Sequence, residues 1–206
     1  MGDVMQGPIV FVIDDDDNSR KMIVETIKTM SLPVQDYSSA EAFLADYRGE
    51  RPACIVTDQR MPGMSGIELI ETLQTASLTI PVVVVTAFPD TQMTVRAIRG
   101  GAISLIEKPC SNEKLWAGIL EAIRLDARNS VLDAERSDAK TKIESLDGHE
   151  IEVARLLLDG LANKVIASKL DVSLRTIEAR RARILKKFDV NSIAGMVKVW
   201  LAGQSE

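Results

Sequence analysis

Carboxylates, a hydroxyl and an ammonium punctuate the first half of this chain where apolar runs give out. Asp14, Asp15, Asp16 and Asp17 stand in a row after Ile9–Ile13. Asp58 closes the run CIVTD, and Pro62, Gly63 and Gly66 break the backbone that follows. Thr86 ends VVVVT, and Lys108 and Pro109 end ISLIEKP. Crowded like charges repel, so four acids in series persist only where water solvates them, a helix start absorbs one, or a cation is held. Asp17 or Asn18 is placed to cap the next helix, which leaves Asp14 and Asp15 to join Asp58. Three hard oxygen donors with room for water suit Mg²⁺ better than zinc or calcium. Acids, hydroxyl and ammonium on one edge meet the requirements of in-line phosphoryl transfer to a carboxylate. Read alone, Asp58 is equally well explained as a strand-ending acid that caps a turn.

The elements that would bring these groups together can be read from periodicity. Short apolar runs at Ile9–Ile13, Val34–Tyr37, Cys54–Thr57, Val82–Thr86 and Ile103–Ile106 alternate with segments of helical spacing. The helical segments are expected over Ser19–Met30, after a Ser39 N-cap with Ala42, Phe43 and Tyr47, over Gly66–Ala76 with Ile67, Ile70 and Leu73, over Asp90–Arg99, and from Ser111 onward. The near-continuous Val and Ile runs imply strands covered on both faces. That predicts an α/β doubly wound five-stranded parallel sheet. In such a sheet the carboxyl ends of the strands form the functional crevice.

With 206 residues and 46% hydrophobic content, the chain is long enough for one or two cored domains. No apolar run approaches the ~18 residues of a membrane span. Met1–Gly7 shows neither the basic nor the apolar region of a secretory leader, so a cytoplasmic protein without membrane association is expected. Two distant cysteines, Cys54 and Cys110, and the single His149 argue against a structural zinc site or a His-based triad. Both cysteines read as buried small hydrophobes.

Charge divides the chain. Residues 1–128 hold 12 Lys/Arg against 18 Asp/Glu, whereas 160–200 hold 9 against 3. Only the second half would tolerate a polyanion. Between them, 125–144 (LDARNSVLDAERSDAKTKIE) lacks Pro and Gly and reads as a helical extension or semi-rigid linker. The remainder is purely helical. Asp147 and Glu150 form a D-x-x-E start before Ile151, Ala154, Leu157 and Leu158, and Gly160 ends that helix. Ala162–Leu170, with Val165, Ile166 and Leu170 inward, precedes a turn at Asp171. A helix capped by Ser173 then runs to about Phe188, and a fourth covers Ser192–Leu201. The third carries Arg175, Arg180, Arg181, Arg183, Lys186 and Lys187 against Glu178, the layout of a helix-turn-helix that binds phosphates.

From Ile9 to about Ala127, the blocks VIDDDD, IVTDQRMPGMSG, VVVVTA and GGAISLIEKP resemble the flavodoxin-like receiver domain of two-component response regulators. The resemblance implies that Asp58 accepts a phosphoryl group from a sensor histidine kinase. It implies that Asp14, Asp15, Asp58 and the Arg60 backbone carbonyl hold Mg²⁺, Asp14 mainly through water. Thr86 and Lys108 would hold the phosphoryl oxygens, and Lys108–Pro109 would be a cis peptide. Leu105 departs from the pattern, because an aromatic ring usually moves with the threonine during switching; Thr86 and Leu105 are the switch candidates here.

The segment LDGHEIEVARLLLDGLANKVIASKLDVSLRTIEARRARILKKFDV resembles the LuxR-type DNA-binding domain of NarL/FixJ response regulators. That implies base-edge contacts by Glu178, Ala179 and Ala182, with Lys164, Thr176, Arg180, Arg181 and Lys187 as phosphate-contact candidates. The last helix resembles a dimerisation helix. The boundaries expected are a receiver over 1–127, a helical linker over 128–143 and a four-helix DNA-binding domain over 144–206. Together these readings imply a transcription regulator switched by phosphorylation, homodimeric when phosphorylated, bound to double-stranded DNA, and not a turnover enzyme. Two rival readings stand beside this one. One is a regulator whose receiver only docks or dimerises, suggested by Leu105. The other is a Mg²⁺-dependent phosphatase using Asp14 and Asp16, disfavoured by Asn18 where such enzymes carry Thr or Val.

Overall fold

The computed structural model describes residues 7–204, so the expectation that Met1–Gly7 is not a secretory leader falls, but for Gly7, outside the described residues. Five strands, β1 (Ile9–Ile13), β2 (Val34–Tyr37), β3 (Ala53–Asp58), β4 (Val82–Thr86) and β5 (Ala102–Glu107), form one parallel sheet in the order β2-β1-β3-β4-β5. Helices α1 (Asp17–Lys28), α2 (Ala40–Asp46), α3 (Gly66–Thr75) and α4 (Thr91–Arg99) connect them, and α5 (Asn112–Glu144) follows β5. Every residue of β3 and β4 is buried, as unbroken Val/Ile runs require of strands covered on both faces. Two clusters make the core, one on each face. The first centres on Phe11, Phe43, Leu69 and Val84, the second on Val12, Ile27, Val83 and Ile119.

Most segments expected from periodicity form, with one informative difference. Helix α1 starts earlier than expected, because Asp16 takes the extended N-cap conformation and its carboxylate accepts from the Ser19 amide at 2.7 Å. Asp17 therefore lies in the first turn, where it pairs with Arg20 and complements the helix dipole. Asp17 and Asn18 are not the cap. In keeping with the helical reading of 125–144, α5 continues without interruption through that segment, so the last receiver helix and the linker are one element of 33 residues. Good helix formers and the lack of any Pro or Gly after Gly118 give that run no place to stop.

The chain divides into two compact units, Met1–Ser130 and Val131–Glu206. The second contains α6 (Gly148–Leu158), α7 (Asn163–Lys169), α8 (Leu174–Lys187) and α9 (Ile193–Gln204) around a core that includes Val153, Ile166, Ile177, Ile184, Phe188 and Trp200. Asp147 and Glu150 form a reciprocal capping box at the start of α6. Ser173 caps α8, its hydroxyl accepting from the Thr176 amide at 3.1 Å. Asp171 takes φ 51° in the turn between α7 and α8, a left-handed conformation that Asp tolerates. Val165, expected inward, is 49% exposed; on the seven-residue α7 only Ile166 and Ala167 are buried.

Candidate functional site

Strand register carries the chemistry-bearing residues to one edge. Ile13 pairs with Thr57, Asp58 with Val85, and Thr86 with Glu107. Asp14, Asp58, Thr86 and Lys108 thus leave their strands at the same level, where the strand order reverses between β1 and β3. The structure brings four of the expected groups together. Asp14 and Asp58 are buried, and the Lys108 ammonium lies between them, 2.8 Å from Asp14 Oδ2 and 2.6 Å from Asp58 Oδ1. Burial alone would lower the pKa of this lysine. Hydrogen bonds and charge from Asp14 and Asp58 outweigh that, and hold it above the usual lysine value. Lys108–Pro109 is a cis peptide.

Each acid in the run 14–17 has a separate task. Asp14 faces inward, accepting from Ser19 Oγ at 2.6 Å and the Asp16 amide at 2.9 Å. Asp15 is exposed, Asp16 caps α1 and Asp17 pairs with Arg20. The Arg20 side chain also donates to the Asp14 carbonyl at 2.7 Å and to Asp36 at 2.9 Å, fixing this loop to the edge strand.

Gly66 sets how closely α3 approaches the acceptor strand. A Cβ there would lie 2.6 Å from the Asp58 carbonyl oxygen, so any larger residue would push the helix start off β3. The Asp58 carboxylate accepts from the Arg60 amide at 2.5 Å, and Thr86 Oγ1 from the Phe88 amide at 3.3 Å. The side chains of Arg60 and Phe88 meet outside, with the guanidinium carbon 4.9 Å from the ring centre. Two loops flanking Asp58 are joined in this way. Phe88 is not among the expected site residues; its sole mark in the sequence is an aromatic two positions after Thr86.

Among the described residues, no three His, Cys, Asp or Glu side chains are gathered as a metal-ligand set. The chemistry of the donors nevertheless fits Mg²⁺. Asp14 and Asp58 are hard oxygen donors close enough to share the Lys108 ammonium, and Asp15 stands exposed beside Asp14. Leu105 is half-buried in β5 and packs against the core cluster that includes Met93 and Ala97. Cys54 is buried, which pushes its thiol far above the usual value and leaves it unreactive at neutral pH. A cavity of about 350 Å³ opens at the other end of the sheet, near Leu73, Gln74, Pro81 and Leu125. Among the described residues no charged side chain lines it, and it lies away from the acids.

In the second unit, α8 exposes Arg175, Glu178, Ala179, Ala182, Arg183, Lys186 and Lys187, while Thr176, Arg180 and Arg181 are half-exposed. Lys164 is exposed on α7. The inner face of α8 is apolar, with Ile177 and Ile184 fully buried.

Comparison with known proteins covers both units. The pattern described as the response regulator receiver domain matches residues 10–120, and that of the bacterial regulatory proteins of the luxR family matches 144–200. The transcriptional regulatory protein FixJ of Rhizobium meliloti (strain 1021) is 35% identical over 195 residues, 94% of this chain and 95% of that protein. The solved structure of the response regulator StyR aligns with a TM-score of 0.85 at 37% identity, over 93% of this chain and 97% of that one. Full-length FixJ from B. japonicum aligns at 0.58 and 33% identity, over 98% of this chain and all of the other. Among the described residues no helix is long and apolar enough to cross a membrane.

Proposed function

Because this chain belongs to the response regulators that join a receiver to a LuxR-type DNA-binding domain, we propose that Asp58 is its phosphoacceptor and that phosphorylation controls how α8 engages DNA. The observation that carries this reading is the Lys108 ammonium between the two buried carboxylates at the sheet's switch point.

An Asp58 carboxylate oxygen attacks the phosphorus of a phosphohistidine on the partner kinase. The O–P bond forms, the P–N bond breaks, and the imidazole leaves with the electron pair and takes up a proton. Lys108 is placed to follow the charge onto the phosphoryl oxygens, because its ammonium already contacts Asp58. Thr86, at the end of the neighbouring strand, offers its hydroxyl to another phosphoryl oxygen. Asp14, Asp15, Asp58 and the Arg60 carbonyl would hold Mg²⁺, which when bound neutralises charge on the transferring group. Asp58 takes one phosphoryl group and later loses it to water, without turning over an external substrate.

The switch runs from Thr86, whose hydroxyl is tied to the loop before α4, with Leu105 as the smaller side chain that follows it. A phosphorylated homodimer would present two copies of α8 to adjacent half-sites of double-stranded DNA. In that complex Glu178, Ala179 and Ala182 meet base edges, and Lys164, Thr176, Arg180 and Arg181 meet phosphates. The partners are thus a sensor histidine kinase and double-stranded DNA, and the protein works in the cytoplasm.

The DNA contacts make a direct prediction. Arg180→Ala and Arg181→Ala should each weaken binding to specific and non-specific duplexes alike. Each should also reduce the slope of log affinity against log salt by about 0.9, the signature of one lost phosphate contact. Fluorescence anisotropy over a salt series measures this, and an unchanged slope in both variants would remove these arginines from the phosphate contacts.

A further inference from the structure

Five of the six cations on α8, Arg175, Arg180, Arg181, Arg183 and Lys186, make no ion pair among the described residues. Lys187 differs. Its ammonium donates to Glu150 Oε2 at 2.5 Å and to the Ser145 carbonyl at 2.8 Å. The same Glu150 oxygen accepts from the Asp147 amide at 3.0 Å, and the Asp147 carboxylate accepts in return from the Glu150 amide at 2.8 Å. The Glu150 side chain is only 3% exposed, against 36% for Lys187. The last turn of α8 is therefore tied by directional, charge-assisted bonds to the first turn of α6.

We propose that Lys187 is a positioning residue for DNA reading. It fixes the angle of α8 on α6 and makes no phosphate contact of its own. The proposal rests on the DNA-binding reading above and gives Lys187, a phosphate-contact candidate by resemblance alone, a different role. Two physical points support it. First, drawing the ammonium away to a phosphate would leave a buried carboxylate without its counter-charge, a costly exchange for a contact that exposed neighbours such as Lys186 can supply. Second, the apolar contacts of Ile177, Ile184 and Phe188 hold the inner face of α8 but are not directional. Glu178 stands nine residues before Lys187, roughly 13 Å along the axis, so a tilt of about 10° at the tied end would move it about 2 Å. That displacement is enough to lose hydrogen bonds to base edges.

The test uses the full chain and a duplex selected by the wild-type protein from random sequences, with a non-specific duplex beside it. Lys187→Met keeps most of the apolar stem and removes the ammonium. Glu150→Gln keeps the ammonium and removes its partner charge. Circular dichroism establishes that each variant is folded at the assay temperature. If Lys187 positions α8, both variants lose about tenfold on the selected duplex and little on the non-specific one, and the salt slope is unchanged. A slope lower by about 0.9 in Lys187→Met would overturn the proposal, because it would report a lost phosphate contact. So would a Glu150→Gln variant that binds the selected duplex as tightly as wild type, since a freed ammonium should then help rather than harm. Failure of the wild-type chain to select any duplex would instead sink the DNA-binding reading, and this proposal with it.

Discussion

Asp58→Asn, incubated with acetyl phosphate and Mg²⁺, should take up no phosphoryl group, while the wild-type chain gains one by intact-protein mass spectrometry. The substitution keeps the shape of the side chain that Lys108 and the Arg60 amide contact, so the pocket survives and only the nucleophile is lost. Its consequence should reach the DNA. Coupling between sites in switching proteins is typically worth about 1–3 kcal/mol, so donor and Mg²⁺ should tighten wild-type binding by about 5-fold to 150-fold. The variant should show no gain. Equal affinity of the wild-type chain with and without donor would remove the phospho-switch and favour a receiver that only docks or dimerises.

Asp126→Ala should be the most destabilising single substitution in the first unit. The carboxylate is fully buried in α5, where Arg51 reaches it through Nη2 at 2.7 Å and the Ala53 amide donates to it at 2.7 Å. Removing it takes a charge-assisted acceptor from a mostly buried guanidinium and the acceptor of a backbone amide at the start of β3. Breaking a buried pair from one side costs about 3–5 kcal/mol. Urea denaturation of the full chain, followed by a probe in the first unit, should show that loss in its transition midpoint. A double variant, Arg51→Leu with Asp126→Leu, should recover part of it, because it removes both desolvated charges of this pair together. A change below about 1 kcal/mol in Asp126→Ala would mean that the pair contributes nothing net.

These two residues mark the range of what a linear reading recovers. The place of Asp58 at the end of β3 was legible because its signal is local: a strand of β-branched residues, a carboxylate, then Pro and Gly. The sheet was legible for the same reason, since runs such as VVVVT can be satisfied only between two covering layers. Asp126 gave no signal, because its partner Arg51 is 75 residues away and nothing on α5 announces the contact. The run at 14–17 was half legible. Composition required that the four charges be separated, but only backbone conformation decides that Asp16 and not Asp17 caps the helix. Val165 misled for a related reason: on a helix of two turns an apolar residue beside Ile166 fits either face, and the packing of α7 against α8 chose against it. Lys187 was indistinguishable from its neighbours until its partner on another helix came into view.

The uninterrupted α5 also governs how the chain can be cut. Proteases act where backbone is irregular and accessible, and the 33 residues from Asn112 to Glu144 offer no such stretch. Limited digestion should therefore spare the segment between receiver and DNA-binding domain, although a linker is ordinarily the first site nicked. Dissection by genetic truncation meets the same obstacle in another form. Any stop codon placed there ends a helix mid-turn and leaves carbonyl groups without their amides, so fragments made in that interval will fray at an end the intact protein never exposes.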